Sequence, residues 1–180
     1  SGSPVITISS PQEGTLTNVS SQTITGSVSE NCSLSMNGVS VVLDEALSFS
    51  KGVVLSEGAN EYEFTAEDTA GNTGSAAIHI TLDTTAPQAV NGTLVTVSPS
   101  VSGVVTIVGS ASAAEAGSVV TAENASTSQV ASTTATGDGS FSITIGGQEN
   151  DQISLKSEDA AGNESSIISL LVPTSGGGGG

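Results

Sequence analysis

The 180-residue chain has one cysteine, one histidine, no tryptophan, one tyrosine, three phenylalanines and only two basic residues, Lys51 and Lys156. Each scarcity excludes something. A single cysteine, Cys32, rules out an internal disulfide framework and a cysteine-rich zinc site. Two cations against 18 acidic residues give a net charge of −16, so clustered Lys and Arg for phosphate binding are missing and nucleic acid is not an expected partner. An anionic membrane surface would repel the chain for the same reason. No apolar run reaches the length of a spanning helix, and no signal peptide stands at Ser1, so the chain reads as a mature protein or an excised piece of one. Amphipathic helical periodicity is also missing. What is abundant is Ser (32) and Thr (21), with Val, Ile and Leu in short runs bounded by Gly, Asn, Asp and Ser. That is the strand-and-turn pattern of an all-β protein.

The chain repeats itself. Glu67-Asp68-Thr69-Ala70-Gly71-Asn72 returns as Glu158-Asp159-Ala160-Ala161-Gly162-Asn163, an offset of 91 residues. Ser48-Phe49-Ser50 returns as Ser140-Phe141-Ser142 at an offset of 92, and Ile24-Thr25-Gly26-Ser27 is echoed by Ile107-Val108-Gly109-Ser110 at 83. The drift places insertions between the anchors, as in loops. Two domains, 1–88 and 89–173, are expected, with a seam at Asp83-Thr84-Thr85-Ala86-Pro87 and a Gly-rich flexible tail over 174–180. Charge divides evenly, −9 on residues 1–88 and −7 on residues 89–180.

Each domain reads as about seven strands. In the first they fall at Val5–Ser9, Gln22–Ser29, the two arms of a hairpin over Ser33–Val42 about Asn37-Gly38, Phe49–Leu55, Glu61–Glu67 and Ala76–Leu82. Alternation turns Tyr62, Phe64 and Ala66 inward against Glu61, Glu63, Thr65 and Glu67, and turns Ile153 and Leu155 inward against Gln152, Ser154 and Lys156. One buried and one wet face mean antiparallel sheets, and this many strands at this spacing favour a sandwich.

The run from Ile24 through Asn37-Gly38, Phe49, Gly58-Ala59-Asn60 and the Asp68 to Asn72 element to Asp83-Thr84-Thr85-Ala86-Pro87 resembles the tandem immunoglobulin-like domains of bacterial surface and adhesin proteins. The second repeat, with Ala116-Gly117-Ser118-Val119, Gly137 to Ser142 and Glu158 to Asn163, resembles a sister subtype, from which the stretch Ala122–Ala131 departs. The resemblance covers about Pro4 to Val172. It implies two tandem immunoglobulin-like antiparallel β-sandwiches serving as an extracellular structural or adhesion module, a spacer or assembly unit of a bacterial cell-surface protein or filament. A module binding a protein or a glycan, and a non-catalytic appendage of a secreted hydrolase, are the alternatives. The implied partners are other immunoglobulin-like domains of the same chain, neighbouring subunits, or a host or cell-surface protein.

No enzyme is expected. Cys32 and the serines have no base beside them in sequence, His79 alternates out of phase with Ile78 and Ile80, and no aromatic platform exists for a sugar ring. The Asp-x-x-Gly-Asn element has two readings. As a turn, its Gly takes positive φ and its polar side chains satisfy backbone groups. As a calcium site, its hard oxygens fit, but six to eight ligands are needed; the candidates are Asp68, Asn72, Asp83, Asp159 and Asn163. The acidic ladder Glu61, Glu63, Glu67 reads as a wet face that discourages edge aggregation. The last strand is apolar on both faces, Ile167 and Leu171 against Ile168, Leu170 and Val172, and the latter three are the expected assembly surface, through an edge strand or a covered face.

Overall fold

A computed structural model describes residues 2–175. The Gly-rich tail expected over 174–180 lies outside the described residues from Gly176 onward. Within them the chain forms two compact units, divided between Thr84 and Thr85. The division falls four residues before the expected boundary after residue 88. Packing explains the shift: Val90 is 2% exposed in the second core, and the Gln88 carbonyl accepts a 3.2 Å bond from the Ser157 hydroxyl, so this stretch is held by the second unit.

In the first unit β1 (Ile6–Ser10), β3 (Ser21–Val28) and β6 (Ser48–Val54) make one antiparallel sheet, in the order β1-β3-β6. The facing sheet runs β2-β8-β7-β4-β5, from β2 (Thr15–Thr17), β8 (Thr73–Leu82), β7 (Gly58–Glu67), β4 (Ser33–Met36) and β5 (Val39–Val41). The Asn37-Gly38 signal produces the tight hairpin between β4 and β5, with φ of 48° and 78° at its two corner residues, which suits the right-handed strand twist. Ile24, Phe64, Ile78 and Ile80 are at most 1% exposed between the sheets, and the rings of Phe49 and Phe64 lie 5.0 Å apart.

One pairing departs from an all-antiparallel reading. The chain crosses from one sheet to the other at Pro11, and β2 then pairs in parallel with β8, Thr15 opposite Ile80 and Thr17 opposite Leu82. A three-residue Thr-Leu-Thr strand with no inward alternation carries no periodicity signal, so it was not expected.

The second unit opens with a short 3₁₀ turn at Gly92–Leu94, capped by Asn91. Its antiparallel sheets are β13-β10-β9, from β9 (Val95–Val97), β10 (Val104–Gly109) and β13 (Phe141–Gly146), and β12-β11-β14-β15, from β11 (Val119–Asn124), β12 (Gln129–Thr134), β14 (Gln152–Glu158) and β15 (Ile168–Leu171). The atypical stretch Ala122–Ala131 is the β11–β12 hairpin. Its corner is set by Asn124, 0% exposed, whose Nδ2 donates to the Gly146 carbonyl and to Asp151 Oδ2 at 2.9 and 2.8 Å. Val105, Ile107, Val120, Ile153 and Leu155 are fully buried.

The repeat anchors are contacts. Gly26 opposes Phe49 and Gly109 opposes Phe141 across neighbouring strands, each ring lying over the glycine. A Cβ on Gly26 would sit 2.6 Å from the Phe49 ring, and one on Gly109 would sit 2.3 Å from Phe141. An aromatic laid over a strand glycine fills the space its missing side chain leaves.

Candidate functional site

Both Asp-x-x-Gly-Asn elements fold into the same closed turn. In the first unit Asp68 Oδ1 accepts from the Ala70 and Asn72 main-chain N–H groups at 2.8 and 2.9 Å, and Oδ2 accepts from Asn72 Nδ2 at 2.8 Å. The Asp68 N–H donates to the Asn72 carbonyl at 3.0 Å, and Gly71 sits at φ 87°. The second unit repeats each bond: Asp159 Oδ1 accepts from Ala161 and Asn163, and Oδ2 from Asn163 Nδ2, all at 2.9 Å, with Gly162 at φ 89°. Partial burial opposes ionisation of Asp159, but the N–H groups of Asn163, Ala161 and Gly162 outweigh it and hold the carboxyl below its ordinary range. In both turns N–H donors converge on the carboxylate, and both asparagines present nitrogen to it.

The structure brings Asp68 to Asn72 and Asp159 to Asn163 within their own turns, and separates Asp83 from the first pair. Asp68 follows the end of β7, whereas Asp83 follows the far end of β8, where Leu82 opposes Gly58. Ten strand residues intervene, about 30 Å at the usual rise. Asp83 instead donates its N–H to the Thr17 carbonyl. No group of three or more His, Cys, Asp or Glu side chains converges on one point among the described residues.

The expected assembly surface is corrected by register. Ile168 opposes Leu155 and Leu170 opposes Ile153; because opposed residues share a face, Ile168 and Leu170 pack against the core, and Val172 is 1% exposed within it. The exposed apolar side chains are Ile167 at 64% and Leu171 at 66%. Apolar residues on both faces hid this distinction; the alternation of Ile153 and Leu155 on the neighbouring strand was the signal that resolves it.

His79 is exposed, and both ring nitrogens meet carboxylates: Nδ1 lies 2.7 Å from Glu13 Oε1 and Nε2 3.5 Å from Glu61 Oε1. The His79 backbone N–H also donates to Glu13, and these bonds keep the Glu13 carboxyl below its usual value. Cys32 stands beside Glu67 and Asp68 in a cleft of about 360 Å³ at the other end of β7, so thiol and imidazole do not meet. Burial first, and then the charges of Glu30 and Asp68, push the thiol pKa up, away from the thiolate a nucleophile requires. Tyr62 is half-buried and its hydroxyl donates to the Val54 carbonyl at 3.4 Å, which ties β7 to β6 of the facing sheet rather than presenting a ring to solvent. Lys156 pairs with Glu164.

In the second unit a cleft of about 400 Å³ is bordered by Gln88, Asn91, Ser112, Glu115 and Asp138. The Asp138 carboxyl is drawn down to about 2 by the Thr136 hydroxyl, with the Ser140 N–H and hydroxyl adding to it. Sequence reading missed Asp138 as a polar centre, although the Gly137-Asp138-Gly139-Ser140 spacing announces a turn.

Two family models divide the chain between them. Residues 4–84 match "Glucodextranase, domain B" and residues 86–174 match "Bacterial Ig domain". No curated protein matches the chain. Among solved structures, fibronectin(III)-like modules of Clostridium thermocellum CbhA superpose with a TM-score of 0.53 at 13% identity, over 94% of each chain, which supports the fold. A 1.5-MDa bacterial ice-binding adhesin aligns at 24% identity and TM-score 0.46, over 97% of this chain and 65% of that one. A Ca2+-stabilized adhesin of an Antarctic bacterium aligns at 20% and 0.47, over 96% and 49%. This chain thus spans about two thirds or less of either adhesin chain. The two family models and the two sandwiches agree: the chain is a tandem of immunoglobulin-like domains, its first unit matching domain B of glucodextranase and its second the bacterial Ig domain family.

Proposed function

We propose that this tandem is an extracellular structural or adhesion module, a spacer or assembly unit of a bacterial cell-surface protein or filament. The observation that carries the reading is how each unit passes the chain along. In the first, the chain enters beside Ser29, where Val5 exchanges bonds, and leaves at Asp83, beyond the opposite end of β8. In the second, it enters at Gln88 against Ser157, near the end of β14, and leaves at Val172 against Asp151, before the start of β14. A unit entered at one end and left at the other is a link suited to arrays. Exposed Ser, Thr and acidic side chains keep such links soluble. The test is location: antibody to the module should label intact cells of the parent organism, and external protease should strip it. Labelling only after lysis would refute the reading.

The match of residues 4–84 to domain B of glucodextranase favours a second reading, a non-catalytic appendage of a secreted hydrolase. On that reading the epitope appears in the culture medium and co-purifies with glycosidase activity.

A further inference from the structure

The two units differ at one edge. In the first, β8 is the last long strand, and β2 covers part of its outer side by pairing with Ile80 to Leu82. In the second, β15 takes the corresponding place at the end of its sheet, and among the described residues no strand pairs with its outer side. Val172 N–H donates to the Asp151 carbonyl, and antiparallel alternation then turns every second residue away from β14. The N–H and C=O groups of Ser169 and Leu171 therefore face outward, an open template for another strand.

The usual protections are missing from this edge. From Ser165 to Pro173 there is no charged residue in a chain that carries 20, and proline enters only at Pro173, after the strand has ended. Ile167 and Leu171 are the exposed apolar side chains here, on the outer face with Ser169 between them.

We propose that the partner of this edge is a second copy of the same chain, paired antiparallel through β15 around a two-fold axis at Ser169. The sequence fits that operation. With Ser169 opposite its own mate, Ile167 meets Leu171 of the copy and Leu171 meets Ile167, so apolar meets apolar and small meets small. In this register the outward main-chain groups of Ser169 meet those of its own mate, and Leu171 faces Ile167, the residue just before β15. An isologous contact requires this palindrome, and cross-strand apolar pairs are what stabilise joined strands. The uncharged segment is also where two copies of a −16 chain approach with least repulsion. This goes beyond the spacer reading, since it names the partner and holds wherever the chain resides.

A four-residue edge buries far less than the roughly 1,200 Å² of a stable complex, so the pair is weak, with a dissociation constant of about 0.1–1 mM. In an array of such units many weak contacts add through effective concentration.

The experiment is sedimentation equilibrium of the whole chain up to about 1 mM, with Ser169→Lys and Ser169→Glu. Because residue 169 faces its own mate, each variant sets like charges opposite one another and should weaken association about tenfold or more. An equimolar mixture sets Lys against Glu and should restore it. Ser169 is exposed, and unchanged melting of the variants confirms folding. A parent chain that stays monomeric throughout, variants that associate as well as the parent, or a mixture that stays apart would each overturn the proposal; recovery in the mixture is reached only by self-pairing at Ser169.

Discussion

Replacing Gly109 by alanine tests the feature that defines both units. Gly109 has no positive φ to protect, so the backbone accepts alanine, and the smaller conformational loss would favour it by about 0.5–1 kcal/mol. Packing opposes it. The added Cβ would lie 2.3, 2.6 and 2.8 Å from Cε1, Cδ1 and Cζ of Phe141, where about 3.5–4.0 Å is comfortable. The ring must move by more than 1 Å, and it is 5% exposed among close-packed neighbours. Overpacking of this kind costs about 1–3 kcal/mol, and three overlaps this short place Gly109 in the upper half of that range, so after the conformational gain a net destabilisation of about 1–2 kcal/mol is expected. For a domain of this size that lowers the melting temperature by roughly 4–16 °C. Because two units give two transitions, unfolding should be followed by methyl NMR of Ile153 and Leu155 for the second unit and of Ile78 and Ile80 for the first. Only the second-unit transition should move.

Gly26→Ala makes the comparison sharper. Its Cβ would meet the Phe49 ring at 2.6 Å and also the Thr7 carbonyl oxygen at 2.3 Å. A ring can swing aside, whereas the Thr7 carbonyl belongs to β1, paired here with β3. The loss should exceed that at Gly109. Phe141→Leu in the Gly109→Ala background should cost less than the sum of the two single changes, since the shorter side chain removes the collision. Stabilisation by either alanine, the reverse order of severity, or strict additivity would refute the account.

Asp68→Ala removes the acceptor for three N–H groups and should destabilise the first unit by about 1–2 kcal/mol, in line with lost caps elsewhere; urea denaturation that leaves its midpoint unmoved would contradict this. Addition of millimolar calcium, or of a chelator, should leave both melting transitions in place, because the oxygens of Asp68 and Asp159 already accept from N–H groups; a rise of several degrees with calcium would show that the turns reorganise around the ion. Asp138 should titrate with a midpoint of about 2 by carboxyl carbon NMR. Since the folded value lies below the unfolded one, its stabilisation is complete above about pH 4 and vanishes as pH falls through 2. Thr136→Val should raise the midpoint, and an ordinary midpoint in the parent chain would dismiss the hydroxyl cage.

The features legible in the sequence are those whose causes lie within a few residues or are written twice. The Asp-x-x-Gly-Asn turn closes on bonds that span at most five positions, so its residues alone determine it, and it forms alike although β8 begins directly after Asn72 while β15 begins five residues after Asn163. The Gly–Phe pair is a long-range contact, yet it was visible because both partners recur, and the nine-residue difference between the offsets 83 and 92 is absorbed by longer connections together with the longer strands β11 and β12, six residues each against four and three in β4 and β5. What stayed hidden depends on a partner strand. Nothing in Thr15-Leu16-Thr17 announces a parallel pairing with β8; nothing near Asp83 measures its distance from Asp68 until the length of β8 is known. The last strand is the clearest case. A run that is apolar on both faces has no preferred side of its own, and only the register against Ile153 and Leu155 turns Ile168 and Leu170 inward. The exposed surface is therefore decided by pairing: Ile168, Leu170 and Val172, apolar like their neighbours, are turned to the core, and what stays outside is Ile167, Leu171 and the outer edge of β15.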